Sequence, residues 1–140
     1  MEIAYLDTSA LVKRYHQEEY SDSVDEILES YIAVISELTL VEFTSALRRK
    51  ANEGSIGNAD VFRVLAKFHD DLDNFVILRF DTGIISKAME FVLEYSIKTL
   101  DSLQLAFAVK LKDYDPLFVS FDQKLLQCAK SEGLRVIKFD

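Results

Sequence analysis

The chain has 140 residues, of which 49% are hydrophobic and 29% charged, with a net charge of −8. That length suits one domain, 1–140, with a single real core. The apolar content excludes a disordered chain, and the acidic balance argues against a protein that coats nucleic acid nonspecifically. No apolar run approaches the ~20 residues of a membrane span, and no basic region precedes the short N-terminal apolar run, so neither a membrane protein nor a signal peptide is expected. The single cysteine, Cys128, cannot form an internal disulfide and fits a reducing cytoplasm.

Ile3-Ala4-Tyr5-Leu6 is an apolar run that carries into Asp7, so residues 2–7 read as a first strand. A short helix follows from Ser9 to about Tyr15, and a second near Val24–Tyr31. Ile32-Ala33-Val34-Ile35 is compact and apolar, a second strand. Ser36 or Thr39 can cap the next helix, which runs to about Asn52 with Gly54 just beyond. Its apolar positions Leu40, Phe43, Leu47 and Ala51 recur at three- and four-residue steps. Asn58 can cap a further helix with Val61, Phe62, Leu65, Phe68 and Leu72 on its apolar face. The β-branched and aromatic stretch 75–80 predicts a third strand. Asp81 or Thr82 then caps a helix carrying Ile85, Ala88, Met89, Val92 and Leu93. Thr99 to Lys112 reads as a helix, Asp115-Pro116 as a turn, and 117–121 as a fourth strand ending at Asp122. A helix to about Glu132, Gly133 at its C-terminal cap and a last strand over 134–139 complete the chain. Cys128 reads as a small packed residue of that final helix.

Short apolar strands alternating with helices predict an α/β fold: a single-domain three-layer α/β/α sandwich with a mainly parallel central sheet. In such sheets, sites form beyond the carboxyl ends of strands where the strand order reverses. Asp7 and Asp122 both end strands, in LDTS and SFDQ. Asp101 lies in TLDSLQLAFAV and Glu42 in TLVEFTSAL, each carboxylate beside apolar residues. Most of the remaining acids sit in polar runs such as Gln17-Glu18-Glu19. Each of the four has a plain structural reading. Aspartates cap helices well, Asp101 near a helix start is favoured by the helix dipole, and a lone helical glutamate is usually solvated. If all four converge, the repulsion is severe, since like charges ~4 Å apart cost about 4 kcal/mol at an effective dielectric near 20. Protonation or a divalent cation must then neutralise them. An all-oxygen set suits Mg²⁺ or Mn²⁺ rather than zinc, and a bound cation would offset the acidic charge in a nuclease.

The motifs Asp7-Thr8-Ser9-Ala10-Leu11, Val41-Glu42-Phe43-Thr44-Ser45-Ala46-Leu47, Leu100-Asp101-Ser102-Leu103-Gln104-Leu105-Ala106 and Ser120-Phe121-Asp122, in this order and context, resemble a PIN-domain ribonuclease. The compact form resembles the VapC-type toxins of toxin–antitoxin pairs. The resemblance covers essentially the whole chain and implies a PIN-like fold. It also implies a Mg²⁺- or Mn²⁺-dependent endoribonuclease that hydrolyses RNA phosphodiester bonds with a metal-activated water. It implies Asp7, Glu42, Asp101 and Asp122 as the catalytic acids. Asp7 and Asp101 would be the principal metal ligands, Asp122 would act directly or through water, and Glu42 would complete the shell or orient the water. Thr8, Ser9 and Ser120 would support them. A cognate antitoxin with a basic segment and a homodimer are likewise implied. Two positions depart from the family pattern. Lys98 stands where Arg is frequent, which loses bidentate phosphate geometry, and Ser120 stands where Thr is common.

Basic residues that could meet RNA phosphate are Lys13, Arg48 and Lys98. Solvent-facing helix positions are the plain alternative for them, and Arg49 lies one heptad after Glu42 on the same face. Other chemistries fit less well. A histidine acid–base pair would need His16 and His69 together, and both lie in polar helix contexts. A phosphatase with an aspartate nucleophile after the first strand would need a second aspartate where Ser9 stands. A receiver domain would need an acidic neighbour to Asp7. The remaining alternative is a catalytically inactive PIN-like binding module in which Asp7 and Asp122 are caps only.

Overall fold

The computed structural model describes residues 2–139; the two ends of the expected domain, Met1 and Asp140, lie outside the described residues. The elements in chain order are β1 (Ile3–Leu6), α1 (Thr8–Tyr15), α2 (Ser21–Ser30), β2 (Ile32–Ser36), α3 (Glu37–Asn52), α4 (Asn58–Asp71), β3 (Val76–Leu78), α5 (Thr82–Tyr95), α6 (Thr99–Lys110), β4 (Leu117–Val119), α7 (Gln123–Ser131) and β5 (Arg135–Val136). The five strands form one parallel sheet in the order β3-β2-β1-β4-β5. Tyr5 at its centre pairs with Val34 on one side and Phe118 on the other.

Alternation along the strands builds the three layers. Ala4 and Leu6, Ala33 and Ile35, and Leu117 and Val119 point to one face, where they pack on Leu11, Val24, Phe43, Leu47 and Phe68 of α1 to α4. Tyr5, Val34 and Phe118 point to the other, against Phe91 of α5, Leu105 and Phe107 of α6, and Leu125 and Cys128 of α7. Strands covered on both faces must be apolar at every position. That is why IAYL and LFV carry no polar residue until the chain leaves the sheet.

The expected order of strands and helices holds, and the differences lie at element ends. The third strand is only Val76–Leu78, because Phe80 has left the sheet and its N–H donates to Glu37 Oε1 at 2.7 Å. The last strand pairs only through Arg135–Val136 at the sheet edge. The fourth stops at Val119, so that Ser120, Phe121 and Asp122 turn out of the ladder. Asn58 does not cap α4. It is that helix's first residue, Gly57 holds the cap position, and the Asn58 Oδ1 instead accepts from Arg48. The helix predicted near Val24–Tyr31 starts earlier, at Ser21. Gly54 and Gly133 close their helices with positive φ, +82° and +86°, where a side chain would be strained.

Candidate active site

β1 sends its connection to β2 on one side while β4 lies on the other, so the strand order reverses between β1 and β4. Crevices form beyond the carboxyl ends of strands at such a point. A cleft of about 640 Å³ opens there, lined by Asp7, Glu42, Asp101 and Asp122. The four carboxylates picked from the sequence thus share one cavity, although they come from four separate segments.

Asp7 is 4% exposed. Its Oδ1 accepts from the Ala10 N–H at 3.0 Å and the Ser9 hydroxyl at 2.7 Å, and its Oδ2 from the Ser120 hydroxyl at 2.5 Å. It therefore does cap α1. The two serines continue the lacing: Ser9 Oγ accepts from Phe121 N at 2.9 Å, and Ser120 Oγ from Asp122 N at 3.1 Å. The ends of β1 and β4 are tied together by hydroxyls that also fix the two aspartates. Asp122 caps α7, its Oδ1 accepting from Leu125 N at 3.0 Å.

Burial pushes the Asp7 carboxyl up to about 6, against the lowering effect of its three hydrogen bonds and with a further push from the Asp122 charge. Asp101, half-buried in the first turn of α6, is also raised, first by burial and then by the charges of Asp122 and Glu42; Lys98 and Lys124 oppose this. Asp101 makes no hydrogen bond or ion pair among the described residues.

Glu42 is held by a polar network buried under the cleft. Its Oε1 accepts from the Thr8 hydroxyl at 3.0 Å and from Gln104 Nε2 at 2.7 Å. Gln104, 3% exposed, also reaches Thr39 Oγ1 at 3.0 Å, and its Oε1 accepts from the Tyr5 hydroxyl. Burial holds that hydroxyl protonated far beyond the usual tyrosine range. Gln104, Tyr5 and Thr39 were missed by sequence reasoning. A signal did exist for Gln104, the one amide in the apolar run LQLAFAV, three residues after Asp101.

Of the expected phosphate contacts, Lys13 lines the cleft. Arg48 does not: it points from another side of α3 and donates to Asn58 Oδ1 at 2.9 Å. Arg49 and Lys50 line the cleft in its stead, since Arg49 lies two helical turns from Glu42. Lys98 holds the N-cap position of α6 and is not part of the cleft lining. His69 is exposed, and neither it nor His16 lines the cleft.

The donor set suits a hard divalent cation: all oxygen, anionic, mutually repelling and, among the described residues, without an ion pair to any of the four carboxylates. The arrangement is open rather than caged. Among the described residues, no group of three or more His, Cys, Asp or Glu side chains stands ready-made for a metal ion. Also among them, no helix is long and apolar enough to cross a membrane.

The chain resembles several solved structures in fold. A toxin–antitoxin complex from Klebsiella pneumoniae matches with a TM-score of 0.68 and 18% identity, covering 96% of each chain. A DNA-bound VapBC from Salmonella typhimurium matches at 0.70 and 16%, covering 98% of each. VapC20 of Mycobacterium tuberculosis, a sarcin–ricin loop cleaving toxin, matches at 0.69 and 14%, covering 91% of this chain and 95% of that one. No curated protein sequence matches. A PIN domain family model matches residues 4–131. That span holds the sheet through β4 and all four cleft carboxylates, and the chain belongs to the PIN domain family.

Proposed function

We propose that this protein is a Mg²⁺- or Mn²⁺-dependent endoribonuclease and the toxin of a toxin–antitoxin pair. The observation that carries the proposal is the convergence of Asp7, Glu42, Asp101 and Asp122 on one cleft at the strand-order switch point. Asp7, Asp101 and Asp122 would hold the cation. A bound dication supplies charge neutralisation and Lewis-acid activation for phosphodiester hydrolysis. The chain's own residues position and move protons. Glu42, its Oε1 occupied by Thr8 and Gln104, keeps Oε2 without a hydrogen-bond partner among the described residues and can orient and deprotonate the attacking water. Ser9 and Ser120 fix the Asp7 carboxylate, and Thr8 fixes Glu42.

The toxin assignment draws support from fold likeness to chains solved as toxin–antitoxin complexes. The antitoxin would present a basic segment to the acidic cleft. A homodimer is supported by the exposed apolar stripe Ile85, Met89, Val92 and Leu93 on α5. Both aspartates do cap helices, and that observation favours the alternative of a silent binding module. Purified protein incubated with structured RNAs separates the two readings. Cleavage that needs Mg²⁺ or Mn²⁺ and stops with chelator or with Asp7→Asn supports the enzyme; cleavage indifferent to both defeats the proposed mechanism.

A further inference from the structure

Three cationic residues, Lys13, Arg49 and Lys50, line the acidic cleft, and two of them are already engaged. Glu18, in the loop between α1 and α2, places Oε1 at 3.2 Å from Lys13 Nζ and Oε2 at 3.7 Å from Lys50 Nζ. One carboxylate thus spans two ammonium groups that come from the last turns of two different helices, α1 and α3. The lysines are well settled, with side chains only 12% and 22% exposed. Lys13 Nζ also sits 4.4 Å from the centroid of the Phe121 ring, a cation–π contact that fixes it. The Phe121 backbone is in turn tied through Ser9 to Asp7. Two held cations therefore stand at a defined place beside the acid cluster, bridged by an anion with two oxygens.

We infer that Lys13 and Lys50 form a subsite for one phosphate of the RNA backbone, and that Glu18 occupies it as a stand-in anion until RNA displaces it. The inference rests on the proposed RNA reading and adds a gate to it. A polyanion entering a cleft lined by Asp7, Glu18, Glu42, Glu53, Asp101 and Asp122 needs free cations. Two of the three lining cations are free only when Glu18 moves away. Each non-bridging phosphate oxygen can take one ammonium, as each carboxylate oxygen does now. Glu18 sits in a loop, and its ion pairs are of the partly exposed kind that hold weakly, so displacement is within reach of a phosphate.

The test is binding of a short fluorescein-labelled single-stranded RNA, read by anisotropy in chelator so that no cleavage intervenes. Glu18→Gln is expected to bind about five- to tenfold more tightly than wild type. With both lysines replaced, the slope of log affinity against log salt should become shallower than in wild type by about 0.7, since one RNA phosphate fewer is neutralised and its counterions stay bound. Glu53→Gln removes the same charge from the cleft lining without freeing an ion pair, and should tighten binding far less. Lys13→Gln or Lys50→Gln, added to Glu18→Gln, should abolish the gain. If Glu18→Gln binds RNA no more tightly than Glu53→Gln, with unfolding temperature lowered, Glu18 only staples the loop to α3 and the gate is wrong while the RNA reading stands. If neither wild type nor Glu18→Gln binds RNA in chelator, the lysine pair is no phosphate subsite and the gate is wrong, whereas the RNA reading falls only if cleavage with Mg²⁺ or Mn²⁺ also fails.

Discussion

Replacing Asp7 by Asn should make the metal-free protein more stable, although it removes a residue proposed as essential. A carboxyl raised from 3.8 to about 6 by burial carries its charge at neutral pH at a penalty of about 3 kcal/mol. An amide is neutral and can still accept from Ala10 N and Ser9 Oγ, so the helix cap survives. Its NH₂ group would face Ser120 Oγ, whose proton loses its acceptor, at a cost of about 1 kcal/mol. The net gain is about 2 kcal/mol, or roughly 6 °C in Tm for a domain of this size. The sign with pH follows from the raised value. Native Asp7 binds a proton that the unfolded chain has lost between about pH 4 and pH 6, so wild-type stability falls through that window and stays low above it. Thermal unfolding by circular dichroism in chelator, wild type against Asp7→Asn, checks this at both ends. The variant should lead at about pH 7.5, and its lead should vanish near pH 4. Saturating Mn²⁺ should then raise wild type by about 2–3 kcal/mol and leave the variant nearly unmoved. An Asp7→Asn variant less stable than wild type at neutral pH would falsify the reasoning and make Asp7 a structural cap.

Ser120→Ala should weaken Mn²⁺ binding by about 10- to 100-fold in calorimetric titration, because it frees Asp7 Oδ2 and removes the acceptor for Asp122 N; unchanged affinity would remove Ser120 from the site. Gln104→Leu should lower the urea-unfolding free energy by about 1–3 kcal/mol, since it takes the Gln104 acceptor from the buried Tyr5 hydroxyl and leaves the Thr39 hydroxyl with Ser36 alone. Its cleavage rate should fall more than that of a core variant of equal stability loss, as Glu42 loses its 2.7 Å contact. The cleavage rate at limiting metal should fall as pH drops through about 6, where Asp7 takes up its proton, and the midpoint should move lower as Mn²⁺ is raised.

The fold was legible because its strands are covered on both faces. Continuous apolar runs such as IAYL and LFV, each followed by a polar cap, mark strand and helix without ambiguity. Strand ends were less legible, because where Phe80 or Phe121 leaves the ladder is decided by partners distant in sequence, Glu37 and Ser9. The four carboxylates stood out because each interrupts apolar surroundings. Their support was half visible: Ser9 and Ser120 lie beside the aspartates in sequence, whereas Gln104 joins Tyr5, Thr39 and Glu42 only once β1, α3 and α6 are packed. Arg48 turns to Asn58, whereas Arg49, one heptad after Glu42 on the same face, lines the cleft. Glu18 looked like one more solvated acid in Gln17-Glu18-Glu19, and nothing local announces its reach to Lys50.

The central claim is that the acidic cleft cleaves RNA only with a divalent cation held by its carboxylates. The most direct measurement is the cleavage rate of a structured RNA as a function of Mn²⁺ for wild type and Asp101→Asn, with folding checked by circular dichroism. Asp101 makes no hydrogen bond or ion pair among the described residues, and burial with the Asp122 and Glu42 charges raises its carboxyl, so its replacement should not lower the stability of the metal-free protein. The account predicts a saturable Mn²⁺ dependence for wild type and loss of cleavage for the folded variant. Equal rates in the two proteins, or a wild-type rate independent of Mn²⁺, would contradict it.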